Sequence, residues 1–266
     1  QASAVLISDP TFGVHICRQS IFTLQHKTLH PSIMSILPCH VLKKYAQRPT
    51  IIALLLLCSA SGAHSAEQPI QAVISDAIAT SAKQYEWMLG HLPADNTMPR
   101  TFDHGKLVTV IKNDWTVGFF PGSLWYLFEA TGDGKWRTEA ARYTALLEQE
   151  QHNTRTHDVG FILFSSYGNG YRLTGDPAYR PILLTGAASL STRFNPTVGS
   201  IKSWDRDPKL FTYPVIIDNL MNLQLLLWAA DNGGETRFRE IAVAHADTTM
   251  KNHYREDGSS FHGVDY

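Results

Sequence analysis

Residues 157–176 read HDVGFILFSSYGNGYRLTGD. An aspartate opens a run that is almost wholly apolar, and a Gly-Asp pair closes it. The same design occurs twice more. DWTVGFFPGSLWYLFEATGD (114–133) opens on Asp114 and stops at Gly132-Asp133; IIDNLMNLQLLLWAADNGG (216–234) runs on from Asp218 and stops at Gly233-Gly234. Each is followed by a one-sided segment: KWRTEAARYTALLEQ (135–149), PAYRPILLTGAASLSTRF (177–194) and ETRFREIAVAHADTTMKNHY (235–254). A helix apolar all round is buried, and a helix with one charged face covers it. The repeat therefore predicts inner–outer helical hairpins stacked side by side. The opening aspartates are spaced by 158 − 114 = 44 and 218 − 158 = 60 residues, the second interval holding a longer loop.

With the inner helices parallel, their N-termini gather at one mouth of a toroid, and Asp114, Asp158 and Asp218 share it. The predicted fold is all-α, an (α/α)6 barrel. Such a barrel needs six hairpins, whereas this sequence offers three, preceded by a helix over 71–89 with a period near 3.6. It reads as a barrel truncated to about its first half. The stretch from 90 to 113, rich in Pro, Asn and Asp, reads as a loop. Gly118, Gly122, Gly160, Gly168 and Gly170 interrupt the inner helices, which fits close helix packing, since Gly otherwise costs about 1 kcal/mol per helical position against Ala.

The region before residue 67 is organised differently. From Met34, the basic residues Lys43, Lys44 and Arg48 precede an apolar run, Ile51 to Leu57, and then small residues from Ser61 to Ala66. That is the pattern of a secretory signal peptide over 34–66, with an apolar run too short for a membrane span of roughly 20 residues. Residues 1–33 read as an upstream or artefactual segment, and 67–266 as the partial barrel domain. The expected location is periplasmic or secreted, with no membrane association after signal cleavage.

Composition narrows the chemistry. The chain is 44% hydrophobic and 18% charged with a net charge of −1, so it carries no basic field for nucleic acid. All three cysteines, Cys17, Cys39 and Cys58, precede residue 67, which removes thiolate nucleophiles and cysteine zinc sites from the domain. No HExxH spacing, Gly-rich phosphate loop or GxSxG elbow occurs.

An Asp before an apolar run is ordinarily an N-cap, and that reading accounts for each aspartate taken alone. The neighbours add to it. Trp115 follows Asp114, His157 precedes Asp158, and Trp204 lies in the long loop before Asp218. Carboxylates with imidazole and indole at one mouth make the composition of a sugar site: rings stack on a pyranose face, and acids divide proton transfer. Asp218 has the most apolar neighbours and is the best general acid, because low-dielectric surroundings raise a carboxyl pKa. Asp133, Asp176 and Asp231, at the other end of the hairpins, read as turn residues.

Five stretches in order, DWTVGFFPGSLWYLFEATGD, THDVGFILFSSYGNGYRLTGDPAYR, RFNPTVGSIKSWD, IIDNLMNLQLLLWAA and HADTTMKNHYREDGSSFH, resemble glycoside hydrolase family 88, the unsaturated glucuronyl hydrolases. The resemblance covers residues 70–266, about the N-terminal half of that domain. It implies removal of a 4,5-unsaturated uronic acid from the non-reducing end of lyase-generated oligosaccharides of glycosaminoglycan type. It implies Asp218 as the acid/base and Asp158 as its support. Trp115, His157, Trp204 and His262 are implied as substrate-contacting rings. No metal or organic cofactor is implied.

Overall fold

The computed structural model describes residues 69–93, 96–112 and 114–266. The segments read as an upstream stretch and a signal peptide lie outside the described residues. Residues 74–266 form one compact unit.

Helix α1 spans Ile70–His91. The three predicted hairpins follow. Helix α2 (Phe119–Thr131) returns as α3 (Gly134–Ala145). A second rod consists of α4 (Val159–Leu163), a π-helical turn Phe164–Gly168 and α5 (Asn169–Thr174), and it returns as α6 (Tyr179–Ser191). Helix α7 (Asn219–Asp231) returns as α8 (Arg237–Asn252).

The outer helices bury one face as predicted, whereas the inner helices, expected to be buried all round, leave Tyr126 (57%), Met221 (55%) and Leu227 (36%) exposed. On α3 the buried residues are Trp136, Ala140, Tyr143 and Thr144; on α8 they are Phe238, Ile241, Ala242, His245 and Thr249. Both sets follow the three-and-four spacing of a single helical face. Inner helix α2 presses Leu124 and Trp125 into the core at 0% exposure, and α7 does so with Leu225 and Leu226. Trp125 donates its indole N–H to Thr144 Oγ1 at 3.1 Å, so the largest buried ring leaves no polar atom unmet. Phe120 and Tyr143 pack edge-on at 4.7 Å across the same hairpin.

The hairpin ends behave as read. Gly132 and Gly175 adopt left-handed φ of 68° and 66° and close α2 and α5. Asp133 accepts a hydrogen bond from Lys135 N at 3.0 Å and caps α3, and Asp176 accepts one from Ala178 N at 2.9 Å. Asp231 pairs with Arg239.

The inner rods run parallel. At their far ends, Arg172 of α5 makes a two-pronged pair with Glu129 of α2, at 2.6 and 2.7 Å. At their starts, the Phe119 and Phe161 rings lie 5.4 Å apart. The rods touch where glycines allow it. A Cβ on Gly118 would fall 2.4 Å from Ile162 O, and one on Gly160 would fall 2.5 Å from Asn222 Cα. Both neighbours are backbone atoms, which cannot swing aside. Gly160→Ala is therefore expected to destabilise the protein by about 1–3 kcal/mol, the range for overpacking. Gly134→Ala, whose added Cβ meets nothing within 4 Å, is the neutral or stabilising control. Urea midpoints of the two variants make the comparison.

Two expectations are corrected. The stretch 90–113 is not all loop: β1 (Met98–Asp103) and β2 (Lys106–Val110) pair antiparallel. His104 and Gly105, at φ 45° and 77°, make their two-residue turn, the positive-φ geometry that suits a hairpin. The first inner helix also begins at Phe119, five residues after Asp114, behind a string of turns. Two further short pairings frame the mouth: β3 (Phe194–Asn195) with β4 (Ser200–Ile201), and β5 (Pro214–Ile216) with β6 (Gly263–Asp265). Among the described residues no helix is long and apolar enough to cross a membrane.

Candidate active site

Asp158 and Asp218 occupy the N-cap positions of α4 and α7, yet neither side chain makes a capping hydrogen bond. The N-cap reading is thereby corrected for both, and their carboxylates are left for other work. They meet at one imidazole. His157 Nε2 lies 3.2 Å from Asp158 Oδ1 and 3.7 Å from Asp218 Oδ1. Two acids sixty residues apart in sequence thus flank a single buried ring.

His157 itself is 2% exposed. It was expected among the rings that contact substrate; the structure instead seats it between the carboxylates, with Nε2 facing both acids and Nδ1 buried without a hydrogen-bond partner among the described residues. An Nε2–H is what makes either contact attractive. Its backbone N–H donates to Ser203 O at 3.0 Å, and Ser203 in turn donates from N to Pro214 O at 2.8 Å and from Oγ accepts Ile216 N at 2.9 Å. Ser203, fully buried, therefore ties the His157 turn, the Trp204 loop and the strand leading to Asp218 into one frame.

The environments push the two carboxyls in opposite directions. Burial presses Asp158 upward, but the His157 contact, the Thr156 hydroxyl and the charge of Arg206 together outweigh it and hold the group below its ordinary value. Thr156 Oγ1 donates directly to Asp158 Oδ2. For Asp218, burial is the largest influence and raises the carboxyl; His157 and His262 oppose the rise, and the charge of Asp158 adds to it. Asp218 Oδ1 is shielded and has no hydrogen-bond partner among the described residues. The side chain as a whole is 37% exposed, so its accessible part lies away from that oxygen. A pair of acids displaced in this way, one toward the ionised form and one toward the protonated form, is the arrangement that divides base and acid roles.

The other predicted residues take distinct positions. Trp115 is 38% exposed and sits 6.2 Å from the Phe161 ring, near the start of α4. Trp204, half-buried, packs edge-on to Phe211 at 6.3 Å and under the Arg206 guanidinium at 5.4 Å. His262 arrives from the far end of the sequence: its carbonyl accepts Ile217 N at 2.8 Å, next to Asp218, and its ring is near enough to act on that carboxyl. Asp114 does not join the pair. It accepts from Thr116 N at 2.9 Å and from Thr116 Oγ1 at 2.6 Å, and lies 3.7 Å from Arg100, so it organises its own turn.

Residues that the sequence reading passed over are Thr156, Ser203, Arg206 and Asn222. Thr156 and Asn222 had a local signal, standing two residues before Asp158 and four after Asp218 on the same helical face. Ser203 and Arg206 had none, because the long loop brings them in only when the chain folds. Among the described residues no group of three or more His, Cys, Asp or Glu side chains has the arrangement of a metal site.

No protein-family model matches the chain. Individual relatives do. An unsaturated glucuronyl hydrolase of Formosa agariphila is 40% identical over 186 residues, which is 69% of this chain and 46% of that protein. The crystal structure of an unsaturated glucuronyl hydrolase specific for heparin is 43% identical, with a TM-score of 0.68 over 72% of this chain and 51% of the other. A third structure, a UGL variant with dGlcA-Glc-Rha-Glc, is 31% identical, with a TM-score of 0.65 over 74% of this chain and 52% of the other. The chain spans about half the length of the curated relatives it matches. Its inner and outer helices are those of the (α/α)6 barrel of these neighbours. With the fold, the repeat and the identity all in agreement, the chain belongs to the unsaturated glucuronyl hydrolase family, glycoside hydrolase family 88.

Proposed function

We propose that the protein is a hydrolase that releases a 4,5-unsaturated uronic acid from the non-reducing end of oligosaccharides left by polysaccharide lyases. The observation that carries this reading is the Asp158–His157–Asp218 group, with contacts of 3.2 and 3.7 Å and the two carboxyls displaced in opposite directions. Asp218, whose burial favours the acid form, gives its proton to carbon 4 of the enol ether. The π pair forms the new C–H bond, and the positive charge that develops at carbon 5 is shared with the ring oxygen. Water adds at carbon 5 and returns a proton to the Asp218 carboxylate. The hemiketal so formed opens and frees the remaining sugar.

Asp158, ionised throughout, supports the developing charge and fixes His157 against Asp218. In this reading Trp115 and Trp204 supply ring surface for the sugar, and His262, whose charge acts on Asp218, contacts it as well. This proposal extends to the substrate class: glycosaminoglycan-type unsaturated disaccharides, supported by the heparin specificity of one neighbour. A dGlcA-terminated oligosaccharide accompanies another. The proposal also includes export through the leader read over 34–66, which N-terminal sequencing of the exported protein checks.

Loss of the enol chromophore is the direct assay. The full-length protein is expected to bleach glycosaminoglycan-derived unsaturated disaccharides faster than pectin-derived ones. Preference for the pectin-derived sugars would move the reading to rhamnogalacturonyl hydrolysis, and binding with no bleaching of either would make the protein a carbohydrate-binding one.

A further inference from the structure

Helix α4 has an unusual cap. The N–H that an N-cap side chain ordinarily receives, at the third helical residue, is Phe161 N, and it donates at 2.7 Å to Oδ1 of Asn222. Asn222 belongs to α7 and stands four residues after Asp218, so it caps the neighbouring rod from across the interface. It is fully buried. The contact is fitted at close quarters, since Gly160, with no Cβ, lets its backbone lie directly against Asn222. The side chain of Asp158, in the cap position, makes no bond to its own helix. Its carboxylate is turned to Thr156 and His157 instead.

We infer that Asn222 is a positioning residue: by capping α4 in place of Asp158, it frees the Asp158 carboxylate to face His157 and Asp218. The inference rests on the acid/base reading of the site given above. Its physical content is a competition. The first-turn N–H groups of α4 need an acceptor; Asn222 supplies one, and Asp158 holds the position whose side chain ordinarily would. While Asn222 fills it, Asp158 stays with the imidazole. Without Asn222, the nearest acceptor is the Asp158 carboxylate, whose rotation onto its own helix withdraws negative charge from Asp218 and leaves His157 to Asp218 alone. Both changes lower the Asp218 carboxyl, the first by removing a like charge and the second by strengthening an opposing pull.

The test is Asn222→Ala in the full-length protein, which removes the acceptor without adding bulk beside Gly160. The activity of the proposed general acid is present below the pKa of Asp218 and lost as pH rises through it. The basic limb of kcat is therefore expected to move to lower pH. A fall in kcat of about 10² at neutral pH accompanies it, the scale of a small misplacement of reacting groups, with a smaller change in KM. Carboxyl ¹³C titration is expected to show Asp218 titrating lower than in the wild type, a readout that needs no turnover. Asn222→Asp, which keeps an acceptor oxygen in place, is expected to restore the basic limb. Asn222→Ser, too short to reach Phe161 N but milder in the interface, replaces Ala if that variant does not fold. A wild type that never bleaches the enol chromophore ends the hydrolase reading while the carboxyl titration still decides the role of Asn222. An alanine or serine variant that is less stable but keeps the wild-type limb and the wild-type Asp218 titration overturns the inference.

Discussion

Asp218→Asn is expected to lower kcat by about 10² to 10⁴, the usual contribution of a positioned proton donor, with KM little changed. The amide keeps the size and the polar contacts of the carboxylic acid but has no proton to give to carbon 4. Stability is expected to move the other way. The folded-state pKa of Asp218 is raised, so its carboxyl contributes stability that is fully present below the unfolded value, near 3.8. That contribution is lost as pH rises through the folded value. An amide carries no such loss. The midpoint of thermal unfolding of Asp218→Asn is therefore expected to match or exceed that of the wild type at neutral pH, with the gap closing as pH falls toward 4. An inactive variant that is also destabilised at neutral pH would point to a structural role for the carboxylate. Full turnover would remove Asp218 from the mechanism.

His157→Leu tests the link between the two acids. Leucine fills the buried volume but offers no N–H to either carboxylate. Burial remains on Asp158, while the contact that most strongly opposes it is gone, so the Asp158 carboxyl rises. Asp218 loses an opposing pull and rises further. The proposed mechanism uses Asp158 ionised and Asp218 protonated, so both limbs of the kcat/KM profile are expected to move to higher pH. This direction is opposite to that expected on the basic limb for Asn222→Ala. A drop of about 10² at the wild-type optimum is expected with it, as the two acids lose their common anchor. The stability change has its own sign. Asp158 has a lowered folded pKa, so in the wild type it contributes stability above its unfolded value that is lost as pH falls through the folded one. The variant forgoes that contribution. Its deficit is expected to be largest near neutral pH and to narrow in acid, as read from urea midpoints over a pH series. Unmoved limbs would show that the imidazole does not couple the acids.

The repeat of apolar run, Gly turn and one-sided helix was readable because burial imposes it locally: α3 and α8 must put Trp136 and Phe238 inward wherever they dock. The turn roles of Asp133 and Asp176 follow from chain-local hydrogen bonding and were readable for the same reason, whereas Asp231, also read as a turn residue, ends α7 and pairs with Arg239. The β1–β2 hairpin escaped notice because its turn is His104-Gly105, where the histidine takes a left-handed φ without the usual Asn or Asp. The five motifs carried the family, and 40% identity to a relative agrees with them.

What the sequence determined alone is where the helical hairpins lie and that Asp158 and Asp218 begin two of the inner rods, since side-chain periodicity and turn chemistry act over a few residues. What only the tertiary structure decided is what those acids do. Whether an aspartate at a helix start caps that helix depends on whether another acceptor reaches the same N–H groups, and for α4 that acceptor, Asn222, comes from 61 residues away. The same holds for His157, buried between two carboxylates rather than open to a ligand, and for His262, carried to Asp218 by the pairing of β5 with β6. Capping, desolvation and charge act through space, over distances that the order of residues does not contain.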